Sequence, residues 1–149
     1  MAPRESRGDQ PEGSSPTERE LQILRVLWER GESSVREIYE VLREELPIVQ
    51  NTVQAFLRTM TEKGLVTFRK DGRRFLYQPA ESAERTRKHL VRRLMDRAFD
   101  GSVDALVEKA FEARRPGADE IARLRELLDE FDRGGSTPTN KRNPRRSDR

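Results

Sequence analysis

A helix that stops on a glycine and runs straight into an arginine-rich hairpin is the feature that most constrains this chain. From Gln50 to Tyr77 it reads QNTVQAFLRTMTEKGLVTFRKDGRRFLY. Val53, Phe56, Leu57 and Met60 recur at helical spacing and define one apolar face. Asn51, Gln54, Arg58 and Thr59 fall outside that face. Gly64 stands where a helix C-cap glycine belongs, with Lys63 just before it. The β-prone runs LVTF and FLY flank Arg69-Lys70-Asp71-Gly72-Arg73-Arg74, and the Asp-Gly pair between them predicts a tight hairpin. A helix with amides on its open face, followed by a basic hairpin, has the outline of a winged helix-turn-helix. That outline points to reading DNA.

Length and composition narrow the alternatives. A chain of 149 residues has room for one or two compact domains with a modest core each. Its net charge is only +3, so the placement of charge, not its sum, has to carry a nucleic-acid reading. Cysteine is absent, which excludes disulfides, thiolate metal sites and cysteine nucleophiles. No apolar run approaches the ~20 residues of a membrane span. The N-terminal MAPRESRGDQPEGSSP lacks the apolar core of a signal peptide, so the expected address is the cytoplasm.

Punctuation along the chain predicts four segments. Residues 1–16 are polar and rich in Pro, Gly and Ser, and read as a disordered arm. Residues 17–79 read as the winged helix-turn-helix domain. Thr17-x-x-Glu20 and Ser34-x-x-Glu37 are capping boxes opening two helices. The first carries Leu21, Leu24, Leu27 and Trp28 and ends at Gly31; the second carries Val35, Ile38, Leu42 and Leu46 and is expected to stop at Pro47. Residues 80–132 read as three helices, broken at Asp100-Gly101-Ser102 and Arg115-Pro116-Gly117. Their large apolar residues are too few for a comfortable core of their own. Sharing a core with a second copy solves this. It predicts a homodimer built on Leu90, Leu94, Leu106, Val107, Phe111, Leu124, Leu127, Leu128 and Phe131. Residues 133–149, with Lys141, Arg142, Arg145, Arg146 and Arg149, read as a disordered basic tail. The fold class is mainly α with a small β-hairpin, a winged helix-turn-helix domain plus a C-terminal three-helix dimerisation domain.

Four stretches in this order resemble one family: LQILRVLWERGESSVREIYEVL, NTVQAFLRTMTEKGLV, the hairpin ending at Tyr77, and FDGSVDALV from Phe99 to Val107. The chain is similar to the penicillinase repressors, the β-lactamase and methicillin-resistance regulators. The resemblance covers roughly Thr17 to Phe131. It implies a transcriptional repressor of antibiotic-resistance type that binds an inverted-repeat operator as a dimer. Repressors of the staphylococcal type carry lysine and arginine where this chain has Asn51 and Gln54. They are cut by a sensor protease at an Asn-Phe bond, and Lys109-Ala110 stands at the corresponding place here. The resemblance implies a sensor protease among the partners, but the Asn-Phe bond that such a protease cuts is not found at that place, a departure that counts against cleavage as the inducing event. The cysteine cluster of the family's copper-responsive branch has no counterpart.

Candidate DNA-binding residues follow from side-chain chemistry. Asn51 and Gln54 can each pair bidentately with adenine in the major groove, against the bland readings of a helix cap and a solvated surface. Thr52 is a phosphate contact or a cap, and Arg58 a phosphate contact or half of a surface ion pair. Arg69, Lys70, Arg73 and Arg74 are a solvated charge run or a set of phosphate contacts, and their place after a recognition helix favours the second. Asp71 is explained by turn chemistry. Trp28 reads as core. His89, the only histidine, reads as a surface or interface residue, because one imidazole without cysteines or clustered carboxylates makes no metal site. No catalytic constellation, phosphate loop or cofactor motif is found, so no enzyme activity, metal or cofactor is expected. The alternative reading is a winged helix used only as a protein-interaction module, its basic wing meeting an acidic partner.

Overall fold

The computed structural model describes residues 15–134. Most of the predicted N-terminal arm and residues 135–149 of the predicted tail lie outside the described residues, while Arg133 and Gly134, expected in the tail, are helical. The described chain separates into two compact units, dividing between Leu94 and Met95.

The first unit begins with α1, Glu18–Arg30. Thr17 Oγ1 accepts the Glu20 amide at 3.2 Å, and Glu20 Oε1 accepts the Thr17 amide at 2.9 Å. This closes the first predicted capping box. Gly31, at φ 90°, ends the helix. A two-residue strand follows, β1 (Ser33–Ser34), and then α2 (Val35–Leu42), capped reciprocally by Ser34 and Glu37. The expectation that α2 runs to Pro47 is corrected: the helix ends at Leu42. The Glu45 and Leu46 amides still donate to the Leu42 carbonyl, at 3.0 and 2.9 Å, through consecutive turns. Those turns return Leu46 to the core, so the apolar spacing looks helical past the last helical residue.

Helix α3 spans Gln50–Lys63, as expected, and Gly64 caps it in the left-handed region at φ 81°. The hairpin is β2 (Val66–Asp71) and β3 (Arg74–Pro79). Asp71 pairs with Arg74, so the connecting residues are Gly72 and Arg73. Gly72 at φ 68° takes the first central position, the glycine site of a type II′ turn. The small sheet has three strands in the order β1-β3-β2, all antiparallel, not a lone hairpin. Two serines are too short a run to announce a strand in sequence; pairing with Leu76 and Tyr77 makes them one.

The core of this unit joins Ile23, Leu24, Val26 and Leu27 of α1, Ile38 and Leu42 of α2, and Val53, Leu57 and Met60 of α3 to Val66 and Tyr77 of the sheet. Each fully buried aliphatic side chain contributes roughly 1.5–3 kcal/mol of transfer free energy. A buried ion pair crosses from α1 to α3: Lys63 Nζ donates to Glu20 Oε1 at 2.7 Å. Glu20 thus closes the cap of α1 and holds the end of α3 at once. Trp28 packs against the core and donates its indole N–H to the Glu81 carbonyl at 3.0 Å, just before α4 (Ala83–Ala98).

The second unit contains α5 (Val103–Ala113) and α6 (Ala118–Gly134). Asp100 at φ 51° and Gly101 at φ 77° form the predicted break before α5. Ser102 Oγ then accepts the Ala105 amide at 3.1 Å as N-cap. Neither α5 nor α6 has a buried residue.

Candidate nucleic-acid interface

Burial of one face of α3 dictates what the other presents. Val53, Leu57 and Met60 are wholly buried. Asn51, Gln54, Ala55, Arg58 and Thr59 are consequently exposed on the same helix, and so is Thr52. The capping alternatives for Asn51 and Thr52 are not realised. The N-cap is Val49, which offers no side-chain hydrogen bond, and its carbonyl accepts the Thr52 and Val53 amides at 3.0 and 3.2 Å. Arg58 has no ion-pair partner among the described residues. The open face of α3 is therefore polar, with two amides and one free cation available to a ligand.

The four cations of the wing are not equivalent. Arg69 is held side-on by Glu32, from Nε at 2.7 Å and from Nη2 at 3.0 Å. The Arg69 hydrogen bond is the largest influence on the Glu32 carboxyl and draws it below its ordinary value; desolvation opposes this, and the attraction of the Arg69 charge adds a smaller lowering. Arg74 lies 3.5 Å from Asp71 and 3.9 Å from Glu37. The Glu37 carboxyl is likewise lowered, first by the Ser34 amide it accepts at the cap and then by the nearby charge of Arg74. Lys70 and Arg73 are exposed and have no ion-pair partner among the described residues. Sequence reasoning grouped all four cations. It missed Glu32 because the two partners lie 37 positions apart in the chain. It missed the second role of Glu37 because the capping box already accounted for that residue.

One face of the wing is aromatic. Phe68 and Phe75 meet edge-to-face at 5.2 Å between ring centres, and Phe68 leans on Tyr77 at 5.6 Å. Arg69 lies on the opposite face, paired across the strands with the buried Leu76.

Six of the nine expected dimer residues are exposed. In α4, Leu94 is exposed and Leu90 half-buried. In the second unit, Val107, Phe111, Leu127, Leu128 and Phe131 are exposed, the last two at 68% each, and Leu106 and Leu124 are half-buried. Val91, Val103 and Ile121 are exposed too and were not among the expected residues. His89 Nδ1 lies 3.5 Å from Glu81, and among the described residues no cluster of His, Cys, Asp or Glu could hold a metal ion. No described helix is long and apolar enough to cross a membrane.

Known proteins are similar to this chain in sequence. The family model described as penicillinase repressor matches residues 16–130. The penicillinase repressor of Bacillus licheniformis is 23% identical over 111 residues, 74% of this chain and 87% of that protein. Among solved structures, HlyU from Vibrio cholerae is 28% identical, covers 55% of this chain and 84% of its own, and superposes with a TM-score of 0.43. A homodimeric winged helix-turn-helix DNA-binding domain from Mycobacterium bovis is also 28% identical, with coverages of 58% and 75% and a TM-score of 0.41.

Proposed function

The chain belongs to the penicillinase repressor family and is a DNA-binding transcriptional repressor, and we propose that it acts as a homodimer on an inverted-repeat operator. Helix α3 enters the major groove with Asn51 and Gln54 toward base edges and Thr52 and Arg58 toward phosphates. The wing straddles the neighbouring backbone, with Lys70 and Arg73 as its ready phosphate contacts and Arg69 and Arg74 partly committed to carboxylates. One observation carries this reading: the fully buried stripe Val53-Leu57-Met60 leaves the polar face of α3 open beside two unpaired wing cations.

The helices from Glu81 onward form the dimer and set the distance between the two reading heads. Uncovered apolar residues on α5 and α6 support this. Bound across a promoter, such a dimer represses by excluding the polymerase. It acts in the cytoplasm, on β-lactamase-type or other stress genes. The inducing partner, a sensor protease, would meet Lys109-Ala110 inside α5, so cleavage there requires that helix to open first. Family membership decides against the alternative of an interaction module with no DNA reading.

A selection of random duplexes, followed by mobility shift on the enriched sequence and on the chain's own upstream region, tests the proposal. An enriched inverted repeat is expected. Binding that ignores sequence, or a single unrepeated half-site, would falsify it.

A further inference from the structure

Helix α3 begins on a residue with nothing to cap it. Val49 is the N-cap, at φ −113° and ψ 162°, and it is 60% exposed. By contrast α1, α2, α4 and α5 begin on Thr17, Ser34, Ser82 and Ser102, each hydroxyl accepting a backbone amide. A hydroxyl at position 49 would make the same bond. The valine forgoes it and exposes apolar surface to water.

The position is nonetheless well fixed. Ile48 on one side packs against the core, and Val53 one turn on is wholly buried. The Val49 carbonyl is itself engaged by the Thr52 and Val53 amides. An isopropyl group held there has two stiff methyls and no donor, acceptor or charge, so it gains nothing from phosphate oxygens. In the major groove one base feature suits it: the C5 methyl of thymine, which no other base carries.

We propose that Val49 is a specificity-determining residue that reads a thymine methyl at the start of each recognition helix. The inference rests on the reading of α3 as the helix that enters the major groove. The neighbouring Asn51 and Gln54 then read hydrogen-bonding edges, while Val49 adds an apolar contact to the base beside them.

The probe is the operator duplex enriched from random sequence by the full-length protein. Each thymine of the half-site is replaced in turn by deoxyuridine, which removes only the methyl. At one position wild-type affinity should fall about fourfold, the equivalent of ~0.8 kcal/mol for one methyl-sized group. Val49→Ser should bind the all-thymine operator about fourfold more weakly than wild type and show no further loss at that uracil. Its melting midpoint should rise, because serine restores the cap. Val49→Ala should lose the same discrimination without the rise in midpoint. If the uracil penalty persists in both variants, or no uracil carries a penalty, Val49 does not read a methyl. If both variants weaken thymine and uracil duplexes equally, Val49 is sequence-neutral support and the proposal falls. A selection that enriches no sequence overturns the operator reading first, and this inference with it.

Discussion

Arg69 and Glu32 form a bidentate pair that joins the wing to the turn after α1, with Nε–Oε2 at 2.7 Å and Nη2–Oε1 at 3.0 Å. The planar guanidinium matches the carboxylate fork, a geometry a lysine could not reproduce. A cation so engaged releases little when DNA arrives. Arg69→Ala should therefore leave the slope of log affinity against log salt nearly unchanged. Lys70→Ala and Arg73→Ala should each make it shallower by roughly one unit. Titrations over a range of salt on one duplex decide it; a full unit lost with Arg69 would return that residue to the phosphate contacts.

The same pair has a pH signature. The Glu32 carboxyl is drawn below its ordinary 4.5, chiefly by the Arg69 hydrogen bond. A depressed carboxyl contributes above its unfolded value and loses that contribution as pH falls through the folded one. The pair should therefore be complete at neutral pH and should persist to somewhat below pH 4.5, the carboxyl's ordinary value. The Nε–H resonance of Arg69 reports this directly. Loss of its protected signal well above that value would contradict the pairing.

Glu37→Gln separates a cap from a charge. Glutamine can still close the box with Ser34, so the melting midpoint should change little. The carboxylate 3.9 Å from Arg74 is gone, and Arg74 becomes freer to meet a phosphate. Affinity for any duplex should rise and the salt slope should steepen by up to about one unit. A fall in affinity would show that Glu37 aims Arg74 instead of competing for it.

Gln54→Ala should cost roughly 1–3 kcal/mol on the operator and little on a scrambled duplex at the same salt. Preference at one base per half-site should relax. Equal losses on the two duplexes would move Gln54 out of the base-reading set, leaving Arg58 or Thr59 to read that position.

Removing the buried cation tests the frame behind the reading face. Lys63→Met leaves the Glu20 carboxylate buried with only its cap amide. A loss of about 3 kcal/mol in unfolding free energy is expected, in the range for breaking a buried pair. Chemical denaturation measures it. An unchanged midpoint would mean that water replaces the ammonium at no cost.

Much of this fold is legible in the sequence because its signals are local. The Thr17 and Ser34 capping boxes, the Gly64 cap and the bounds of α3 each follow from a few neighbouring residues. What escapes is set by distant partners. Ser33 and Ser34 become a strand only against Leu76 and Tyr77. The Asp71-Gly72 signal gives the hairpin, but pairing shifts the turn by one residue onto Gly72-Arg73. Ile23 and Val26 complete the α1 core, although the eye is drawn to the leucines and Trp28. At the interface, the exposed face of α3 is readable from its buried stripe. The division of the wing into free and committed cations is not, because Glu32 carries no sequence mark of its destination.

The indole of Trp28 ends, finally, on the Glu81 carbonyl, where the chain leaves the wing for α4. It is the chain's only tryptophan. The protein thus has a native fluorophore at that joint, its emission governed by whether the ring N–H meets a backbone oxygen or water. Any event that loosens the entry to α4, whether operator release or induction, becomes visible as a change in colour without a label being attached.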